Sequence, residues 1–417
     1  FHKPDELEMY LGITTKCNLC CDGCSVDIDQ TVDERIPTQP KTMEVATLQL
    51  LLEETVHSAS MEKMEKVRLK WAGGEPLLPD SFRLIMQAKE VIGRLREQYP
   101  DIQIGQTIVT NGTFLTEEVV AALSRLDVHV SVSLWGLGEI NDKVRGASRT
   151  QDKYPNILAG IQRLHEASID HPKNLTYNIN HVIRPDTASH FADFVTALWD
   201  TENDKFIGRD WRWEKGKQPI PIGIVFLRPK RTDQIAALQA GGYEQMLNGT
   251  RGSFEVMRQM IKKGIPIPPL TKIDMLQLFD LKEYPCGSGT SYIAATPDGR
   301  VSSCHDSLLK PDKWIMVKKN GGNLLEQVNT ATDSRRYGVS TKFPESLDLA
   351  VQYILDTHGG TGCPHVAQLE NQSKIGKVAS VASALYAPLI NDILSLETMR
   401  RLRLTEDTNA SSLNTKR

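Results

Sequence analysis

The sequence predicts an α/β fold: a partial six-unit (β/α) barrel like an opened TIM barrel, followed by a smaller α+β domain built around a β-hairpin. Three observations predict it. Strand-like and helix-like segments alternate through the first half of the 417-residue chain, polar and glycine-rich residues gather where those strands would end, and the alternation stops after Pro229.

The six strand segments, rich in apolar and β-branched residues, are Leu7 to Thr15, Val67 to Gly73, Ile104 to Gly112, Val128 to Gly136, Leu175 to Ile183 and Pro221 to Pro229. Helical periodicity fills the intervals over Thr42 to Ala59, Asp80 to Gln98, Glu117 to Leu126, Tyr154 to Ala167 and His190 to Trp199. Short connections between such units predict parallel strands with crossover helices outside them. Function in this architecture collects at the C-terminal strand ends. Here those ends carry Thr14-Thr15-Lys16-Cys17, Gly73-Gly74-Glu75-Pro76, Thr110-Asn111-Gly112 and Ser133-Leu134-Trp135-Gly136.

Beyond Pro229 a helical stretch, Gly242 to Gly264, leads through proline-rich Ile265 to Leu270, which puts a boundary between about 235 and 280. The domains expected are therefore the barrel over 1–235, a helical linker over 236–280, a second domain over 281–370, and a C-terminal segment over 371–417. A hairpin is expected from Ser291 to Ser303, because Pro297 presets one turn dihedral and Gly299 accepts a positive one. An amphipathic stretch, Val378 to Leu404, is interrupted at Pro388, and Thr405 to Arg417 reads as a disordered tail.

Composition excludes several classes of function. Apolar residues make up 40% and charged residues 24%, ordinary globular usage, and a net charge of -3 offers no field for nucleic acid or anionic lipid. No apolar run is long enough to span a bilayer and Phe1 to Tyr10 do not read as a signal peptide, so a cytoplasmic protein without nucleic-acid or membrane partners is expected. The chain begins at Phe1 rather than Met, which leaves open a segment preceding it.

Seven cysteines are unevenly placed: Cys17, Cys20, Cys21 and Cys24 fall within eight residues, and Cys286, Cys304 and Cys363 are dispersed. Such clustering suits metal ligation in a reducing compartment better than a disulfide framework. Three thiolates from one loop can hold three irons of a 4Fe-4S cube and leave the fourth without a protein ligand. A zinc site is the competing reading, since Cys17/Cys20 and Cys21/Cys24 form two CxxC pairs, but abutting pairs strain a tetrahedral site.

Cys17, Cys21 and Cys24, in CxxxCxxC spacing at the end of the first strand, resemble the signature of the radical S-adenosylmethionine (SAM) superfamily. The resemblance implies that SAM chelates the open iron through its amine and carboxylate and is cleaved to a deoxyadenosyl radical, with an electron donor such as flavodoxin or ferredoxin. Cys20 falls at a variable motif position and is expected as a packed thiol, not a ligand. Gly73, Gly74, Glu75 and Pro76 resemble the family's second motif, implying that Glu75 meets the SAM amine. Ser133 and Arg145 are candidates by the same resemblance for the SAM ribose and carboxylate, Asn180 for the ribose and Leu227 for the adenine. For Arg145 a surface ion pair with Asp142 is the alternative. One departure is Gly23, which stands where related sequences carry an aromatic residue before the third cysteine.

The order Cys286, twelve residues, Gly299, four residues, Cys304 resembles the opening of a SPASM or Twitch domain. With Cys363 it implies one auxiliary 4Fe-4S cluster, whose fourth iron would need His305, Asp306, His365, water or substrate. No catalytic residue is assigned beyond the cluster. The resemblance implies hydrogen abstraction from a C–H bond, with a ribosomally made peptide as the leading substrate and a small sugar or nucleoside as the runner-up; a non-catalytic zinc or iron-sulfur scaffold is the rival.

Overall fold

This computed structural model describes residues 5–19, 21, 24, 42–146, 153–199, 221–227, 237–263, 267, 270–271, 291–304, 314–319, 321–332, 392, 395–396 and 398–399. The first strand, β1 (Glu6–Thr14), alternates cleanly. Leu7, Met9, Leu11 and Ile13 are fully buried under the helical layer, while Glu6, Glu8 and Tyr10 point to the other face. The pattern repeats along β2 (Lys66–Gly73), β3 (Gln103–Thr110), β4 (Val128–Ser133), β5 (Leu175–Ile183) and β6 (Ile222–Phe226), each paired in parallel with the one before it. Both faces of such a sheet are covered or enclosed, which is why its strands read as dense apolar and β-branched runs.

Helices α1 (Val45–Met61), α2 (Pro79–Gln98), α3 (Glu117–Leu123), α4 (Gly138–Val144), α5 (Tyr154–Asp170) and α6 (Phe191–Trp199) follow β1 to β5 in turn, with two helices after β4. Local chemistry starts several of them. Pro79 opens α2 with its preset φ. The Thr116 hydroxyl caps α3, accepting from the Val119 N–H at 3.3 Å. After β6 a π-helical turn, Leu238–Gly242, holds Gly241 at φ 130°, a conformation only glycine adopts cheaply, and feeds α7 (Tyr243–Lys262).

The hairpin expected at 291–303 is present as β8 (Tyr292–Ala295) and β9 (Arg300–Ser302), with Gly299 at φ 83°. Its first strand lies parallel to β1, Tyr10 opposite Ala294, so the hairpin prolongs the barrel sheet. Counting β7 (Leu270–Thr271) and β10 (Ile315–Met316), the sheet has ten strands among the described residues, in the order β10-β9-β8-β1-β2-β3-β4-β5-β6-β7. Helix α8 (Leu324–Thr332) docks on α1, its Leu324 N–H reaching the Ser58 hydroxyl at 2.7 Å. The strands expected to end at Gly112 and Gly136 stop instead at Thr110 and Ser133, where side chains turn to loop contacts. β7 falls inside the stretch expected to be a helical linker.

The lower inner face of the barrel is charged. Arg68 meets Glu6 at 3.0 Å and Lys70 meets Glu8 at 2.9 Å across β1 and β2. On the helical side His181 of β5 packs between Phe191 and Phe194 of α6, ring centroids 5.0 and 4.5 Å away. No helix among the described residues is long and apolar enough to cross a membrane. The proposed C-terminal amphipathic stretch lies largely, and the tail wholly, outside the described residues.

Candidate active site at the C-terminal strand ends

Four loops converge at the C-terminal ends of β1 to β4. The cysteine loop leaves β1 through a tight turn in which the Thr14 hydroxyl accepts the Lys16 N–H at 3.1 Å. It is held by the glycine loop after β2: the Gly74 N–H donates to the Thr14 carbonyl at 2.7 Å and the Glu75 N–H to the Lys16 carbonyl at 2.9 Å. A Cβ on Gly74 would overlap the Lys16 carbonyl, and one on Gly73, at φ 117°, the Thr14 carbonyl. The two glycines thus admit the chain's own cysteine loop.

Glu75 is fully buried and makes three hydrogen bonds through its carboxylate. Oε1 accepts from the Thr110 hydroxyl at 2.7 Å and the Leu77 N–H at 2.9 Å, and Oε2 accepts from the Asn111 N–H at 2.7 Å. A carboxylate offers about four acceptor positions. One therefore remains, on Oε2, for an ammonium group. Burial raises the pKa of this acid, and the three donors and nearby Arg145 oppose the rise.

Asn111 and Asn18 join the third loop to the first. Asn111 Nδ2 donates to Asn18 Oδ1 at 2.8 Å, and Asn18 Nδ2 donates to Thr113 Oγ1 at 2.9 Å. Neither residue was a site candidate from sequence, although Thr110-Asn111-Gly112 was noted as a strand end. Their role arises only when two loops almost a hundred residues apart in the chain meet.

Arg145 is 3% exposed, which replaces the surface ion pair with a buried guanidinium. It donates to the Ser133 carbonyl and lies over the Trp135 ring, 5.4 Å from its centroid. Its Nε is buried without a partner, free to meet an anionic or carbonyl oxygen. Ser133 stands opposite Asn180 in the β4–β5 register. Asn180 donates to the Ser131 hydroxyl at 2.7 Å and accepts from Asn178 at 2.8 Å, and Leu227, buried, follows β6.

Cys17, Cys21 and Cys24 are half-buried thiols, none of them in a disulfide. The Cys17 thiol is pushed up to about 12, first by burial, with further upward pressure from Glu75, Cys21 and Cys24 and a downward one from the Leu19 N–H. Three soft sulfur donors on one half-buried loop suit a cationic metal centre that binds them as thiolates, so the donor set fits an iron-sulfur cluster. Among the described residues no three or more His, Cys, Asp or Glu side chains are arranged to hold one metal ion. A cube, whose irons take one thiolate each, requires no such convergence.

Cys304, just past β9, is also half-buried and in no disulfide. Tyr10 faces both cysteine sets: burial, then Cys24, then more weakly Cys304 push its phenol upward, against a lowering contact with the Gly73 backbone. Cys20, Gly23, Cys286 and Cys363, with His305, Asp306 and His365, lie outside the described residues.

An uncharacterized protein of Methanocaldococcus jannaschii is 24% identical over 190 residues, 46% of this chain and 57% of that one. The serine-type anaerobic sulfatase-maturating enzyme of Klebsiella aerogenes is 24% identical over 182 residues, 44% of this chain and 41% of its own. The chain thus spans about two-fifths to three-fifths of the length of these relatives. Among solved structures, native anSMEcpe with bound AdoMet and Cp18Cys peptide superposes with a TM-score of 0.63 at 14% identity, covering 95% of this chain and 99% of that one. Streptococcus suis SuiB bound to precursor peptide SuiA gives 0.53 at 14% identity, covering 90% and 75%. These likenesses show a shared fold. The family model described as the radical SAM superfamily matches residues 11–198, the span from β1 to α6 that carries all four converging loops, and this chain therefore contains a radical SAM domain.

Proposed function

We propose that the protein is a radical SAM enzyme that abstracts hydrogen from a C–H bond of a peptide. The carrying observation is the thiol triad on the loop after β1, clasped by the Gly73-Gly74-Glu75 loop and the Asn111 loop at the C-terminal end of a parallel sheet. When bound, a 4Fe-4S cluster supplies the electron that cleaves SAM to a deoxyadenosyl radical. The chain's own residues do the rest. Cys17, Cys21 and Cys24 would hold the cluster, and the remaining acceptor position on Glu75 Oε2 would receive the SAM ammonium. Arg145 offers its unpartnered Nε to the SAM carboxylate. Ser133 and Asn180 are assigned to the ribose and Leu227 to the adenine, and the loops at the strand ends would align the target carbon.

The peptide substrate is supported by the relatives: one is named a sulfatase-maturating enzyme, and two similar folds were solved with peptides bound. An auxiliary 4Fe-4S cluster on Cys286, Cys304 and Cys363 in a SPASM- or Twitch-like domain belongs to the same proposal, as do the domain limits, a cytoplasmic setting and a flavodoxin- or ferredoxin-type electron donor.

The test is anaerobic reconstitution, iron and sulfide counting, and a deoxyadenosine assay with dithionite and SAM. Deoxyadenosine formation that disappears in each of Cys17→Ala, Cys21→Ala and Cys24→Ala is expected. A colourless, zinc-loaded protein, or turnover that survives these changes, sinks the proposal.

A further inference from the structure

Cys17 differs from an ordinary loop cysteine in the donors aimed at its sulfur. The Leu19 N–H points at Cys17 Sγ from 3.4 Å, and Asn111 Nδ2 stands 3.9 Å from the same atom. The second donor is locked by its surroundings. Thr113 gives Asn111 Oδ1 a main-chain N–H at 2.9 Å and a hydroxyl at 2.6 Å. A main-chain N–H can only donate, so the amide oxygen must face Thr113 and the amide nitrogen must face the cysteine loop. That nitrogen carries two protons: one meets Asn18 Oδ1 at 2.8 Å, and the other is left for Cys17. The main-chain N–H of Asn111 is tied to Glu75 Oε2 at 2.7 Å, and the residue is 7% exposed, so the arrangement is rigid and nearly dry.

We propose that Asn111 is a positioning residue that sets the reduction potential of the cluster held by Cys17, Cys21 and Cys24, through an amide N–H directed at the Cys17 sulfur. This rests on the reading that those cysteines hold a cluster. One-electron reduction adds negative charge that is shared by the ligand sulfurs. An N–H dipole pointing at one of them stabilises the reduced form more than the oxidised form and makes the potential less negative. In a half-buried site such a dipole is weakly screened.

The experiment is an EPR-monitored redox titration of the reconstituted full chain without SAM, comparing Asn111→Ala, Asn111→Asp and Asn18→Ala. Asn111→Asp keeps an oxygen for Thr113 and puts a second oxygen where the N–H stood. At the midpoint of the unaltered protein its reduced-to-oxidised ratio is expected to fall about tenfold, equivalent to a shift of about 59 mV for a one-electron couple. Asn111→Ala shifts the same way by less. Asn18→Ala loosens the tie between the loops but spares the donor to sulfur, so its midpoint stays near that of the unaltered protein. If all three variants titrate together, or the Asn111 variants titrate with the unaltered protein, the inference is wrong.

Should the Asn111 variants bind no cluster, the unaltered protein labelled with 15N in asparagine side-chain amides decides: a 15N coupling to the reduced cluster supports the contact, and its absence overturns it. If the unaltered chain forms no cluster at all, the underlying reading fails as well. If it forms one whose potential ignores Asn111, only this inference fails.

Discussion

Glu75 illustrates how a single side chain can serve both the fold and the site. Its carboxylate satisfies three donors from β3 and its own loop, so Glu75→Ala leaves them buried without acceptors. At about 1 kcal/mol or more for each orphaned donor, a loss of roughly 3 kcal/mol is expected in urea unfolding of the apoprotein. Gly74→Ala drives a methyl group into the Lys16 carbonyl, to which the Glu75 N–H also donates. Iron bound after reconstitution should fall to a small fraction of the normal content, because the cysteine loop can no longer dock. The three cysteines and the Gly-Gly-Glu-Pro run could be singled out as candidates because identity and spacing are local to the sequence. Asn18, Asn111 and Thr113 could not, since an amide among polar loop residues acquires meaning only from the partner that folding brings to it.

His181 shows the same dependence on partners between elements. It sits on the helical side of β5, 1% exposed between Phe191 and Phe194, and neither ring nitrogen has a hydrogen-bond partner. Burial lowers its pKa to about 3, with the nearby Leu134 backbone opposing the shift. The unfolded chain binds this proton below about pH 6.5 and the folded chain does not until about pH 3. Stability is therefore complete above pH 6.5 and falls as pH drops through that window, by up to about 1.4 kcal/mol per unit from this group. Urea titrations at pH 7.5 and 5.5 should show a smaller pH effect in His181→Leu than in the unaltered protein. On α7, a Cβ at Gly249 would stand 2.8 Å from both the Ala188 Cβ and the Ser189 N. Gly249→Ala is expected to cost about 1–3 kcal/mol by overpacking, despite its better helix propensity, and thermal unfolding would read it. The long strands and helices were legible to within a few residues because apolar period alone fixes them. The short α4, α8, β7 and β10 were missed because a seven- or nine-residue helix and two-residue strands hold through tertiary contacts, which period does not report.

For the whole molecule, the decisive link is the parallel pairing of β8 on β1, extended by the Glu8 N–H to the Ser291 carbonyl at 2.8 Å. The sequence suggested a hairpin in a second domain, with the β-α alternation stopping after Pro229 and a boundary between about 235 and 280. Neither clue could reveal that the hairpin returns to the first strand, because non-local strand pairing leaves no local signature. A chain ending at residue 271 strips Glu8 to Leu11 of this neighbour and exposes an apolar strand edge. It should give a lower soluble yield and elute as aggregate in size-exclusion chromatography, whereas the full chain does not. The same pairing also bears on how this scaffold can change over evolutionary time. Tyr10 and Ala294 are rungs of one ladder, and Tyr10 faces Cys24 and Cys304 together. The strands that lead to those two cysteines are thus fixed against each other in one hydrogen-bonded ladder. Descendants that take bulkier guests would have to remodel the loops around the mouth, because those strands cannot part without breaking the sheet.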